Sequence, residues 1–488
     1  MVHFDSTEKA EGTTESEKYL MQLCEKSFLS LWSYPNLFTD NGKSRCGAGK
    51  ELCDLFVIFN NNIIIFSDKD ILFQETDNID LAWKRWYKKS IKKSAEQIYG
   101  AENWIRKAPD RIFLDEKCNK KFPLNISDFK NLNIFRVAVT KNTLPSAKKY
   151  FDKDDSPSFF FKNEFINHDE NPEPFQIGIV NENKGFVHIF DEFSLNIIFS
   201  ELDTVGDFIT YLKAKEKLIK TKKLISYAGE EDLLGFYLEE YDFNEDNWPF
   251  FEDRQDPDEA VILTRGFWES YCNSERKESF EQLRDISYFW DSLIENFSFH
   301  ILKGKTYHGE ENMISHEKTI RILASENRVA RGFLSKSYLD KYEVVEKDRR
   351  SSRIMASPSN RELLYVFLYY PILDNKDRDE YREERLQFCH YYALVAKYQY
   401  PKYRYIAVIA TESGFRINKS EDVLILDLEK FGKKESILAN KIMREERVLH
   451  DTKDIRLGET FQKKSKLGRN STCLCGSGKK YKHCCLNG

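Results

Sequence analysis

No stretch of about twenty apolar residues occurs in the 488-residue chain, and no charged-then-apolar leader opens it. Neither a membrane-spanning helix nor a secretory signal is therefore expected. An excess of positive charge is also missing. Lys and Arg number 75 against 80 Asp and Glu, a net charge of −5, so any nucleic-acid surface has to be a local patch. The ten cysteines are scattered, apart from four near the end, which argues against a disulfide framework and for a reducing, cytoplasmic compartment. Gly47-Ala48-Gly49-Lys50 lacks the spacing and the following Ser or Thr of a phosphate loop, and no dinucleotide fingerprint or 20–50-residue repeat is present.

What is present can build cores: 41% of residues are hydrophobic and 14% aromatic. The informative stretch is Gly49–Lys69, GKELCDLFVIFNNNIIIFSDK. Apolar runs Leu55–Phe59 and Ile63–Phe66 flank three asparagines, which reads as a hairpin of two buried strands. With a loop of Asn60–Asn61, Phe59 pairs with Asn62 and Asp54 falls opposite Ser67. Lys69 then shares that face, because side chains alternate with period two. A three-residue loop would instead set Asp68 opposite Asp54 and turn Lys69 away, since a one-residue slip flips every side chain. A hairpin whose polar ends simply reach solvent is the plain alternative.

Two amphipathic helices flank the hairpin. In Tyr19–Leu31 the apolar residues Leu20, Leu23, Cys24, Phe28 and Leu31 recur at helical spacing and leave Glu25 near the polar edge. In Leu81–Tyr99 a stripe of Trp83, Tyr87, Ile91, Ala95 and Ile98 leaves Lys84, Arg85, Lys88, Lys89, Lys92 and Lys93 on the other surface. Such a row suits contact with a phosphate backbone, although a solvated face explains it too.

The order helix, hairpin, basic helix resembles the PD-(D/E)xK core, the restriction-endonuclease-like fold. That resemblance implies a site in which Asp54 holds a Mg²⁺ or Mn²⁺ ion and Lys69 handles the nucleophile. Ser67 stands where the family usually has an acid. Glu51 or Glu25 would be the further acid, and Gln97 matches a polar residue of the second helix. The implied activity is phosphodiester hydrolysis, with DNA the expected substrate and defence against foreign DNA an analogy. The alternative is a catalytically inactive nuclease-like adaptor that binds nucleic acid or protein.

Further along, Ile134–Thr140, Phe186–Phe190 and Leu195–Phe199 read as strands, and residues 151–174 as an insertion loop. Thr204-Val-Gly-Asp207 resembles a capping box for a helix through Lys220. The trio Glu230, Glu231 and Asp232 suits the amino end of a helix. Phe280–Leu302 reads as a long helix with His300 packed in it. Ile314–Tyr338 reads as another, whose Arg321, Arg328 and Arg331 form a solvated face or touch phosphates. Leu363–Tyr370, Asp377–Tyr398, Tyr405–Ala410 and Val423–Asp427 read as a strand–helix–strand–strand unit.

The tail Gly468–Cys485, GRNSTCLCGSGKKYKHCC, holds four cysteines in a span too short for a hydrophobic core. Soft thiolates in such a segment select tetrahedral Zn²⁺. The segment closely resembles the SEC-C motif, which implies Cys473, Cys475, Cys484 and Cys485 as structural zinc ligands and a docking role toward nucleic acid or a protein partner. The expected architecture is thus multi-domain α/β. It comprises a flexible tail (1–16), a nuclease-like domain (17–126), an α/β domain (127–245), a helical then α/β domain (246–460), and a basic tether with the zinc motif (461–488).

Overall fold

A computed structural model of the chain describes residues 1–127, 131–151, 158–221, 224–240, 261–372, 377–414 and 419–450. The four tail cysteines lie outside the described residues. Among the described residues no helix is long and apolar enough to cross a membrane.

Thr14 opens the first helix, α1 (Glu15–Phe28), with a capping box. Its hydroxyl accepts from the Glu17 amide, and the Glu17 carboxylate accepts from the Thr14 amide. Three antiparallel strands follow: β1 (Ser33–Thr39), β2 (Lys50–Phe59) and β3 (Asn62–Lys69). The β2–β3 hairpin closes with Phe59 across from Asn62, and Asn60 adopts a left-handed φ of 53°. Two-residue turns need that conformation and asparagine tolerates it. The two-residue loop is therefore the one formed.

The basic helix is two α-helices, α2 (Ile79–Tyr87) and α3 (Lys93–Lys107), joined by a π turn at Lys88–Lys92. Trp83, Tyr87, Ile91, Ala95 and Ile98 are all at most 2% exposed. Steps of four residues overshoot an α-helical turn, and the wider π turn absorbs the excess and keeps the stripe on one side. The helix continues past Tyr99, where the sequence reading ended it, to Lys107.

The sheet extends on both sides, in the order β4 (Ile112–Phe113), β1, β2, β3, β5 (Asn133–Thr140), β6 (Val187–Asp191). Strand β5 runs parallel to β3, and β6 parallel to β5. The boundary expected at residue 126 is thus crossed by one continuous six-stranded sheet. The outer edge of β3 needed a partner, and β5 supplies it. Helix α1 covers one face, while α3 covers the other.

Several sequence readings change. Leu195–Phe199 lies within a helix, α4 (Glu192–Glu201), where Asp191 caps the amide of Ser194. A short apolar run cannot by itself distinguish a buried strand from a buried helix. Within 151–174, Phe160–Phe165 is a strand of a separate four-stranded sheet. Residues near the amino terminus are held in place: Val2–His3 pairs with Lys305–Thr306, Phe4 stacks on His316, and Lys9 donates to the Ser33 carbonyl at 2.7 Å.

Helix α5 (Val205–Lys220) is capped by Thr204 as read. Further along the chain stand α6 (Glu275–Leu302), α7 (Met313–Ala324) and α8 (Arg328–Tyr342). The reading of one helix over 314–338 fails at Asn327, whose side chain caps α8. Arg328 and Arg331 are 2% and 1% exposed, so they form no solvated face. Arg328 donates to Asp203 and Asp291 at 2.7 Å each, and Arg331 to Asp291 at 2.6 Å. His300, read as packed, is exposed. The acidic trio is buried, and Glu230 accepts from Lys215, Tyr211 and Tyr227 at 2.5, 2.6 and 2.8 Å.

The last sheet has the order β7 (Ser351–Ala356), β8 (Leu363–Tyr370), β9 (Tyr405–Glu412), β10 (Glu421–Asp427). Strands β8 and β9 are parallel and are bridged by α9 (Arg378–Gln399), as expected for a strand–helix–strand unit. Strand β7 went unread.

One buried group makes the contact between α2 and the segment after Phe160–Phe165 acid-sensitive. His168 is 1% exposed, and its Nδ1 accepts from Trp83 Nε1 at 3.1 Å and from the Glu173 amide at 3.3 Å. Those two donors require an unprotonated Nδ1. Desolvation lowers the imidazole pKa from 6.5 to about 4, with Glu173 opposing. Between those values the unfolded chain takes up a proton that the folded chain refuses, so stability is complete above the ordinary histidine range and falls as the solution is acidified. The shift corresponds to a loss on the order of 3 kcal/mol. Urea midpoints followed from neutral to mildly acid pH should decline more steeply in the parent than in His168→Gln; equal slopes would refute this assignment.

Candidate active site

Strands β2 and β3 are hydrogen-bonded partners only from Asn62 to Phe66, although β3 continues to Lys69 beside β5. The ladder stops where Asp54 begins. Asp54 is 4% exposed, and its Oδ2 accepts from the Asp68 backbone amide at 2.6 Å. A carboxylate has replaced a main-chain acceptor, and the two strands fork around it.

The fork gathers polar groups on the α3 side. Lys69 Nζ lies 3.5 Å from Asp54 Oδ2. Gln97, on α3, donates through Nε2 to Asp54 Oδ1 at 2.9 Å, and its Oε1 accepts from the Ser67 hydroxyl at 3.1 Å. Ser67, Gln97, Asp54 and Lys69 therefore form one connected chain. Asp68 points to the opposite face, where it bonds Ser16 of α1 and lies 3.8 Å from Lys141. Desolvation raises its carboxyl pKa.

Glu51 stands at the outer end of β2, exposed as a residue. Its carboxyl is nevertheless pushed up to about 7, first by desolvation, then by the charges of Asp54 and Glu17, with Lys69 opposing. Two carboxylates that resist sharing negative charge are suited to sharing a cation.

Two contributors went unread. Asn36 has a left-handed φ of 47° next to a register shift in β1, and its amide donates to Glu17 at 3.3 Å and Glu51 at 3.4 Å. Pro35 just before it was the available signal, since proline in a strand marks an edge or a bulge. Glu17 is the acid of α1 that approaches the fork. Glu25 does not: it lies about 12 Å further along that helix, by helical rise. Its carboxyl is raised by desolvation, and its charged neighbours are Lys9 and Glu295. The helix begins at Glu15 rather than near Tyr19, so its first turn, and not its middle, meets the site.

The basic row is split. Lys84 donates to the Asp169 carbonyl at 2.6 Å and Lys92 pairs with the Asp169 carboxylate. Arg85, Lys88, Lys89 and Lys93 are exposed. Lys93 precedes Gln97 by one helical turn, so this face begins at the fork.

The oxygen donors here are Asp54, Glu51, the Gln97 amide and the Ser67 hydroxyl. Hard cations take such donors, and Mg²⁺ commonly uses one or two carboxylates and keeps several waters. Among the described residues no group of three His, Cys, Asp or Glu side chains is placed to hold a metal ion. Two carboxylates, an amide oxygen and a hydroxyl are donors of the type a hard cation takes alongside water.

Comparison with known proteins speaks to the other end of the chain. Residues 469–487 match the SEC-C motif. The chain carries this SEC-C motif directly after a basic segment, Lys463-Lys464-Ser465-Lys466. Cys473, Cys475, Cys484 and Cys485 all fall within the matched SEC-C residues. No solved structure matches the chain.

Proposed function

We propose that the chain is a metal-dependent nuclease whose first sheet is a restriction-endonuclease-like core. The observation that carries this reading is the fork: a buried carboxylate, a lysine 3.5 Å from it and a glutamine bridging to the neighbouring strand. Helix α1, the β2–β3 hairpin and the basic helix α2–α3 follow in the order on which that resemblance rests. A bound Mg²⁺ or Mn²⁺ would supply Lewis acidity and an acidified water.

The chain's own residues then have distinct tasks. Asp54, fixed by Gln97 and the Asp68 amide, presents oxygen at an invariable position, and Glu51 adds a second carboxylate. Ser67 and Gln97 orient the site and do not carry charge. Lys69 neutralises charge on a phosphate or holds the proton of the attacking water. The exposed cations Arg85, Lys88, Lys89 and Lys93 draw a phosphate backbone toward the fork. DNA is the proposed substrate. The purified chain should cleave duplex or single-stranded DNA with Mg²⁺ or Mn²⁺ and stop on chelation. Absence of cleavage of DNA and RNA with either metal defeats the proposal.

A second reading has its own support. Ser67 is not an acid, and Lys69 already compensates Asp54, so the network is satisfied without a cation. In that case the chain is an adaptor. A Ser67→Glu variant that gains cleavage over an inactive parent would favour it.

We further propose that Cys473, Cys475, Cys484 and Cys485 bind zinc in the SEC-C motif, giving a docking module for nucleic acid or protein. Elemental measurement on the purified chain should find about one zinc per chain. Cys473→Ser with Cys475→Ser should remove it, and full zinc retention would contradict the assignment.

A further inference from the structure

A cavity of about 550 Å³ opens between α6, α7, α9 and β10, lined by residues other than those of the fork. Its size lies in the range of small-molecule sites. Three helices turn one face each toward it, with residues at steps of three or four. From α9 come Arg378, Arg382, Leu386 and His390; from α6, Phe297, His300 and Ile301. Helix α7 adds His316 and Ile320, and β10 adds Val423 and Ile425. The lining thus combines apolar side chains with cations and imidazoles, and it also holds the carboxylates Glu421 and Asp422, which pair with Lys419 and Arg382.

Two buried polar nitrogens there are unspent. Arg382 is 6% exposed, and its guanidinium lies 3.3 Å from the centre of the Tyr307 ring. One of its terminal nitrogens serves Asp422 and the Glu421 carbonyl, but its Nε has no hydrogen-bond partner among the described residues. Nε2 of His308, in the adjoining turn, is likewise buried without a partner. Unsatisfied buried donors cost stability unless something accepts from them. Guanidinium N–H groups only donate, and their best acceptors are anionic oxygens. Lys305 and Arg378 add exposed cations at the rim. Desolvation lowers the pKa of His300, His308 and His390, so the imidazoles stay neutral and each offers one donor and one acceptor.

We propose that this cavity binds a nucleoside phosphate. The phosphate sits on Arg382, Arg378 and Lys305, and the planar base lies against apolar side chains such as Phe297, Ile320 and Val423, within reach of the histidines. A free anion would leave those apolar side chains wet, and an uncharged ring would leave Arg382 Nε unpaired. Only a ligand with both parts uses the whole cavity. The site is independent of the proposed nuclease centre.

The full chain is titrated calorimetrically with AMP, GMP, CMP and UMP, and in parallel with adenosine, guanosine, cytidine, uridine and inorganic phosphate. At least one nucleotide should bind with a Kd below ~1 mM. Its nucleoside and inorganic phosphate should each bind at least about tenfold more weakly. Arg378→Glu, at an exposed position, should weaken the nucleotide about tenfold or more, and His390→Ala should weaken it less. Asp54→Asn should leave binding unchanged, which separates this site from the fork. Absence of nucleotide binding overturns the proposal, as do undiminished affinity in Arg378→Glu, phosphate alone binding as tightly, and loss of binding in Asp54→Asn.

Discussion

Asp54→Asn is expected to lower metal-dependent cleavage by about a thousandfold or more, because a lost metal ligand forfeits several kcal/mol of transition-state stabilisation. Asparagine is the right replacement. Asp54 is buried and accepts from the Asp68 amide and from Gln97, so alanine would strand two donors at roughly 1–3 kcal/mol each. Asparagine keeps the shape and one acceptor, and its melting temperature should stay close to the parent's. Lys69→Met, which keeps the length of the stem, should cost about a hundredfold to ten-thousandfold, the range of a lost acid–base group. Cleavage rates for the two variants against the parent decide the point. Either variant retaining parental activity would remove that residue from the mechanism.

The second large effect lies in the middle of the chain and concerns stability alone. Arg328→Met should destabilise the protein by about 3–5 kcal/mol, the cost of removing one partner of a buried ion pair. Its guanidinium bonds Asp203 at 2.7 Å, Asp291 at 2.7 Å and Ser287 at 2.9 Å, and so ties the start of α8 to α6 and to the turn before α5. Asp291 would keep Arg331 at 2.6 Å, whereas Asp203 would keep the Tyr288 hydroxyl at 2.8 Å and the more distant charge of Arg284. Denaturant midpoints measure the loss, and adding Asp203→Asn should recover part of it. If Arg328 instead touched nucleic acid, Arg328→Met would leave stability intact and weaken binding.

That arginine also shows where the sequence stops being legible. An arginine three residues from another at the start of an amphipathic helix looks the same whether it faces water or a buried carboxylate. Its partners, Asp203 and Asp291, are 125 and 37 residues away in the chain, beyond any local pattern. The hairpin was legible for the opposite reason. Its register depends on two adjacent residues, Asn60 and Asn61, and on alternation along two short strands, so Ser67, Lys69 and Asp54 could be placed on one face by counting. Gln97 entered only through the resemblance to the restriction-endonuclease-like fold, not through any local pattern.

Glu25 failed because a helix's phase is clear from its apolar stripe but its start is not. The capping box at Thr14 moves the acid nearest the fork to Glu17. Asn36 needed a left-handed residue inside a strand, an arrangement that only Pro35 hinted at. Leu195–Phe199 carried no periodicity that separates helix from strand, and the cap at Asp191 decided it. The domain boundary expected at 126 gives way because β5 and β6 complete a sheet begun before it, through pairings that no local pattern announces.

The central claim is that the fork holds a divalent cation through Asp54. Electron paramagnetic resonance of Mn²⁺ titrated into the zinc-loaded chain, with Asp54→Asn as the paired sample, tests it most directly. The account predicts that bound Mn²⁺ in the parent is lost in Asp54→Asn, while both retain zinc. Equal Mn²⁺ binding in the two proteins, or none in the parent, would contradict it.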